Sequence, residues 1–291
     1  MSEVPPDHHY SYRDFLVTLV LYRTVLEDST SFRTLTMGDS GSELIDLVVH
    51  DNTPESQNRP EFFESNGFKV QYISDVTNPG IGKAYNRAVE IAKAKNKKWI
   101  LFLDQDTQIA KDMLSLFLEH VNQEHGMHVF STTLFGSDDR LISPSKYRFK
   151  RGFRMHYVPS GVIDLARIRP INSLLLLSIE VFRKVGGYNE KIKLDFSDHE
   201  FLGRVQKVYK EMFVIPADNR HSLSSSDDTN LESIKTRFKI FCEGAHIAGS
   251  GSFLSGIQYF IVCKLRAIKL SLQFRTLFFV KVLLKEWTRS V

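Results

Sequence analysis

The chain has 291 residues, 42% hydrophobic and 25% charged, a soluble globular balance that excludes disorder, collagen-like repeats and disulfide scaffolds. Its length supports a buried core without staples, organised as one α/β unit or as two domains. The net charge of +4 is uneven: residues 252–291 hold four Lys and three Arg against Glu286 alone, which leaves the first 251 residues slightly acidic. A slightly acidic body does not suggest a nucleic-acid binder, whose basic face would lie on the folded core, whereas a basic apolar tail suits an anionic surface.

The opening residues, Met1 to Tyr10, are polar and do not read as a signal peptide. Phe15 to Tyr22 is a continuous apolar run rich in β-formers and reads as a buried parallel strand. Leu44 to His50 is the next, with room for a helix between them, and Phe68 to Ile73 is a third. Asn78-Pro79-Gly80-Ile81-Gly82 breaks the pattern as a loop. Lys83 to Lys95 then places Ala84, Ala88, Ile91 and Ala92 at helical spacing. Trp99 to Leu103 is a fourth strand, running directly into Asp104-Gln105-Asp106. Strands alternating with helices predict a doubly wound, mainly parallel α/β sheet.

The second half is less regular. Met127 to Phe135 reads as a strand, Ser143 to Arg154 as a basic loop, and Ser178 to Val185 as a short helix closed by Gly186-Gly187. A helix lies within Asp195 to Lys210, a strand at Met212 to Ile215 and a polar loop at Ser222 to Asp228. From Leu231 the chain is helical. The two cysteines, Cys242 and Cys263, sit in no CxxC or Cys/His spacing, which argues against zinc and fits a reducing compartment. Gly244 to Cys263 lacks charge, but its glycines and serines make it a poor membrane span.

Five segments carry chemistry. Ligands of open α/β sheets sit outside the carboxyl ends of strands, where Asp104 and Asp106 stand. Two carboxylates there need a positive neighbour, and Mg²⁺ or Mn²⁺ on a substrate diphosphate would supply it. An acidic turn is the plainer alternative. Asp51, also after a buried strand, can accept the N–H of a pyrimidine base or simply make an Asx turn. The Asn78 to Asn86 segment has neither GxGxxG nor GxxxxGK[ST] spacing, so its glycines serve close backbone approach. Asp195, Asp198 and Glu200 are a helix start or contain a general base. His221 follows a strand and gains meaning only if the fold brings it to Asp106.

In their order and spacing these segments resemble an inverting family 2 glycosyltransferase of the GT-A fold, in its bacterial rhamnosyltransferase-like branch. The resemblance covers Phe15 to Arg237 and rests on Asn78-x-Gly80-x-Gly82-x-Ala84-x-Asn86, on Leu103-Asp104-Gln105-Asp106, and on Gly186-Gly187-Tyr188 to Arg204. It implies a GT-A catalytic domain over 1–230, with a nucleotide-binding half at about 12–110 and an acceptor half at about 111–230. A helical extension follows over 231–291. It further implies that Thr18, Tyr22 and Asp51 hold the nucleotide and that Asn78, Gly82, Lys83 and Asn86 line its pocket. Asp104 would contact the ribose or sugar, Asp106 and His221 would hold Mg²⁺ or Mn²⁺, and Asp198 would be the base beside Asp195 and Glu200. The implied reaction moves one sugar from a nucleotide-sugar donor, such as dTDP-rhamnose or a UDP-sugar, to a glycan or lipid-linked acceptor in bacterial surface polysaccharide synthesis. The implied location is cytoplasmic or on the inner face of the cell membrane. Asn172-Ser173-Leu174 departs from the family's small-residue pair, and no QxxRW is present, which suits a single-sugar transferase. The competing readings are a nucleotidyltransferase and a degenerate membrane or assembly partner.

In Leu254 to Trp287, six cations do not gather on one helical face. Two helices, packed on each other or on the catalytic body, fit better than one amphipathic helix. An anionic bilayer and a homodimer contact are the alternative partners of this tail.

Overall fold

In a computed structural model, residues 9–38, 43–55, 57–221 and 230–288 are described. The predicted polar loop at 222–228 lies outside them. The apolar runs of the first half become strands β1 (Phe15–Leu21), β2 (Ile45–Asp51), β3 (Phe62–Ser65), β4 (Phe68–Ser74) and β5 (Trp99–Asp104), with helices α1 (Thr30–Thr36) and α2 (Ile81–Ala94) between them. β6 (Thr107–Gln108), α3 (Met113–Gln123), β7 (Val129–Phe135) and β8 (Leu141–Ser143) follow. Next come β9 (Ser145–Arg148), β10 (Arg151–Phe153), β11 (Gly161–Asp164), β12 (Ile168–Arg169) and β13 (Leu175–Ser178). The body closes with α4 (Ile179–Val185), α5 (Ser197–Val208) and β14 (Glu211–His221).

The main sheet runs β11-β14-β7-β13-β5-β1-β2-β4-β3, with β6 beside β14 and β8 beside β7. Its centre, β5-β1-β2-β4, is parallel, and β13 enters antiparallel between β5 and β7. Both faces are covered, as a parallel sheet requires. Phe32 of α1 and Phe117 of α3 pack on one face, and Tyr85 of α2, Phe182 of α4 and Phe201 of α5 on the other. This is the predicted mainly parallel α/β sheet, with β13 and the β11 edge paired antiparallel.

Two expectations are corrected. Residues 143–154 are not a loop: β9 and β10 form a hairpin that joins β12 in a small second sheet. Their turn is Phe149-Lys150, which lacks the Asn or Gly that flags a hairpin. The predicted strand at 212–215 extends to His221, past Pro216, because a register shift between Ile215 and Asn219 absorbs the proline.

The C-terminal residues form three helices, α6 (Leu231–Gly249), α7 (Phe253–Gln273) and α8 (Phe278–Trp287). Phe238, Phe241, Tyr259, Phe279 and the two free cysteines close a separate core that includes Phe196 of the body. The inner face of α7 is buried there, while Leu254, Ile257, Ile261, Leu265, Ile268 and Leu272 recur at helical spacing on its exposed side. No described helix is long and apolar enough to cross a membrane.

Candidate active site

β5 delivers Asp104 between β1 and β13 at the carboxyl edge of the sheet. Tyr85 of α2 donates its hydroxyl to Asp104 Oδ1 at 3.0 Å. Ser173 lies behind: the Asp104 N–H donates to Ser173 Oγ at 3.3 Å, and Ser173 Oγ is 2.7 Å from Thr107 Oγ1. Burial pushes the Asp104 carboxyl up, the Asp106 charge adds to this, and His221 and Tyr85 oppose it. Asp106 is also pushed up by burial, against the pull of His221.

β14 pairs with β6 so that His221 stands opposite Thr107. His221 Nδ1 is 2.8 Å from Thr107 Oγ1 and 3.5 Å from Asp106 Oδ1. The fold therefore does bring the predicted histidine to Asp106, over a hundred residues away in the chain. Among the described residues no Lys or Arg pairs with Asp104 or Asp106, and no group of three His, Cys, Asp or Glu forms a ready cage. A divalent ion carried on a diphosphate needs only one or two protein carboxylates, since phosphate and water oxygens complete its shell. Two half-buried carboxylates beside an imidazole, with no Lys or Arg partner among the described residues, fit such an ion.

The nucleotide-side candidates divide. Tyr22 is 41% exposed beyond the end of β1. Its N–H donates to Gln105 Oε1 at 2.8 Å, so the middle residue of Asp104-Gln105-Asp106 ties the β1 loop down. Asp51 ends β2, fully buried, and accepts from the Thr53 N–H at 2.9 Å and from the Tyr72 hydroxyl. Leu21 pairs with Asp51 while Val20 pairs with Asp104, so the two carboxylates leave opposite faces of the sheet. Thr18 is a correction. It lies in mid-strand between Val48 and Phe102, fully buried, three residues short of the strand end.

Along α2, Asn78 and Lys83 are exposed. Lys83 and Asn86 line a cleft of about 410 Å³ with His50, Asp75, Arg87 and Glu190. Gly82 does not line an open pocket. It is buried, and a Cβ there would lie 3.3 Å from the Asn189 carbonyl. Gly80 has φ 96°, and a Cβ on it would meet the Lys193 carbonyl at 2.7 Å. Asn86 accepts from the Tyr188 N–H at 2.7 Å and donates to the Tyr188 carbonyl at 3.0 Å and to Glu190 at 2.9 Å. Two sequence motifs thus bind each other: the 78–86 segment fastens the strand of chain that leads to Asp198. Asn86→Ala is expected to lower stability by about 1–3 kcal/mol, because it strands both Tyr188 backbone groups. The urea midpoint measures this, and an unchanged midpoint would return Asn86 to ligand binding.

The three acids around α5 have distinct surroundings. Asp195 pairs with Arg237 of α6 at 3.1 Å. Glu200 pairs with Arg204 at 2.8 Å, and Arg204 also donates to the Val185 and Gly187 carbonyls at 2.7 Å. Asp198 has no Lys or Arg partner among the described residues; its Oδ1 accepts from the His199 N–H at 2.6 Å, and its side chain is 20% exposed. Its charge raises the Asp104 carboxyl and the Tyr85 and Tyr188 hydroxyls, so it lies close enough to act on all three. Tyr188 donates to Asn172 Oδ1 at 2.9 Å and stacks on Phe201.

Residues 41–169 match the family model described as Glycosyl transferase family 2. The dTDP-rhamnosyl transferase RfbF of Shigella flexneri is 28% identical over 152 residues, covering 51% of this chain and 50% of that protein. The match thus spans about half the length of this curated relative. Among solved structures, S. aureus TarS aligns with a TM-score of 0.54 at 16% identity, over 87% of this chain and 43% of that one. The TarS 1–349 fragment in complex with UDP gives 0.53 at 16% identity, over 84% and 68%. At this identity the likeness concerns the fold. The matched segment contains Asp51, Asp104 and Asp106, and ends before Asp198 and His221.

Five residues near the site escaped the sequence reading: Tyr85, Gln105, Thr107, Ser173 and Arg169. Gln105 and Thr107 adjoin the acidic pair, so a closer look at strand-end neighbours could have found them. Ser173 and Arg169 carry no local signal.

Proposed function

We propose that this chain is an inverting glycosyltransferase that moves one sugar from a nucleotide-sugar donor to a hydroxyl of a glycan or lipid-linked acceptor. The observation that carries this reading is Asp198: of three neighbouring acids it alone has no arginine ion pair among the described residues, and its charge acts on Asp104. RfbF is a dTDP-rhamnosyl transferase and the TarS fragment holds UDP, so a pyrimidine nucleoside diphosphate is the proposed leaving group. Asp106 and His221 would hold Mg²⁺ or Mn²⁺, with Asp104 turned to the ribose or sugar. Bound there, the cation would offset the charge that grows on the departing diphosphate.

Asp198 takes the proton as the acceptor oxygen attacks the anomeric carbon. The new C–O bond forms on the face opposite the diphosphate, and the old bond breaks with its electron pair on the diphosphate oxygen. Residues 1–230 form the catalytic unit in this reading and 231–291 its extension. Nucleotide release from a panel of dTDP- and UDP-sugars, with and without Mn²⁺, tests it. No release from any donor in either condition would overturn it.

The acceptor is proposed to reside on the inner face of the cell membrane. The α7 stripe is bordered by exposed Lys264 and Lys269, and the helix contains no Asp or Glu. Such a face suits an anionic bilayer, with apolar insertion and about 1 kcal/mol for each near-surface cation. The protein is expected to sediment with anionic vesicles and to be released partly by salt. Ile261→Asp with Leu265→Asp should abolish sedimentation without unfolding, since both side chains are exposed. Deleting residues 252–291 is a poorer test, because it uncovers Phe196, Phe238 and Phe241. Self-association that these substitutions abolish, with vesicles ignored, would assign the stripe to a homodimer.

A further inference from the structure

We propose that Lys150 and Arg169 form an anion subsite on the acceptor side of the cleft, which holds a phosphate or carboxylate of the acceptor beside Asp198. This rests on the transferase reading above and names a chemical class for the acceptor.

Arg169 is 6% exposed. Its Nε donates to the Leu165 carbonyl at 3.1 Å and its Nη1 to the His199 carbonyl at 3.0 Å. Its guanidinium carbon lies 3.8 Å from the centre of the Tyr147 ring. No described carboxylate forms an ion pair with it, although a buried guanidinium is costly without one. Lys150 approaches from the other side, with Nζ 5.6 Å from the centre of the Tyr259 ring. It too has no ion pair among the described residues. Burial pushes the Lys150 ammonium down, and the charges of Arg169 and Lys207 push it further. Burial likewise lowers Arg169, opposed by Tyr147, Tyr259 and the more distant Asp198. Asp198 is the one described carboxylate whose charge acts on Arg169, and no ion pair among the described residues neutralises either cation, which leaves the pair suited to an anion.

The backbone holds Lys150 there at a cost. Phe149 and Lys150 have φ of 49° and 60°, and they make the two-residue turn between Arg148 and Arg151. Asn-Gly would adopt this turn with less strain. Strain of this kind gathers at ligand sites. Residues 140–163 contain no Asp or Glu, so the hairpin brings no anion of its own. The subsite adjoins the base: the Tyr147 and His199 rings are 5.0 Å apart, and His199 follows Asp198 in the chain.

Binding of inorganic phosphate to the full-length protein in chelator, followed by calorimetry, tests the subsite without the metal that a donor diphosphate requires. Wild type is expected to bind, and Lys150→Gln to weaken binding at least fivefold. Phe149→Asn with Lys150→Gly should weaken it equally while leaving the melting midpoint unchanged or higher, which separates loss of the cation from loss of the hairpin. Geranyl diphosphate and glucuronate, titrated in parallel, distinguish a lipid-borne phosphate from an acidic sugar, and tighter binding of either at Lys150 supports the subsite. No binding of any of the three anions to wild type would overturn the proposal. Wild-type affinity in both variants would also overturn it. Nucleotide release is measured separately: a protein that takes phosphate through Lys150 and turns over no donor keeps the subsite and loses the transferase reading.

Discussion

Asp106→Asn is expected to reduce nucleotide release at least about 100-fold, since it would remove a proposed ligand of the ion that would offset the leaving charge. The substitution preserves size at a side chain that is 24% exposed, so the fold should persist. The expected signature is equivalence: the variant in Mn²⁺ should resemble wild type in chelator. Asp106 is suited to this role because burial already penalises its charge, against the His221 imidazole and a backbone hydrogen bond. His221→Ala should weaken the response to metal more mildly, because Thr107 and Ser173 still brace Asp104 from behind. Full activity of Asp106→Asn in chelator would end the metal reading.

Asp198→Asn is expected to lower sugar transfer by about 10³-fold, within the usual range for a general base, while nucleotide binding survives. Asparagine keeps the shape and loses the proton acceptor. The neighbouring acids give an internal control. Asp195→Asn and Glu200→Gln weaken pairs with Arg237 and Arg204 that fasten α6 and the 185–187 segment. These pairs are partly solvent-exposed, so each loss should cost about 1 kcal/mol or less and show in the melting midpoint. If Asp198→Asn transfers normally and either neighbour does not, the base is the neighbour.

The hydrophobic pattern by itself determined the alternating half of the fold. β1, β2 and β5 are apolar runs because a parallel strand covered on both faces can hold little else, β4 is legible from its alternation, and α2 from one apolar stripe. The carboxyl-end rule then located Asp104 and Asp106 without any contact being known. Thr18 fails by the same logic: it belongs to a correctly read strand, and only the depth of the register shows that it is core.

What the tertiary structure alone decided is pairing. Asn86 reads as a ligand residue until Tyr188, over a hundred positions away, takes both ends of its amide. Glu200 has Arg204 one turn on in α5, a local pair, whereas Asp195 and Asp198 are told apart only when α6 brings Arg237 to Asp195. The β9–β10 hairpin stayed hidden because its turn breaks the local rule. Periodicity is a local property, set by how each element meets its own layer. The charge state and availability of a side chain are set by partners that chain folding brings from afar.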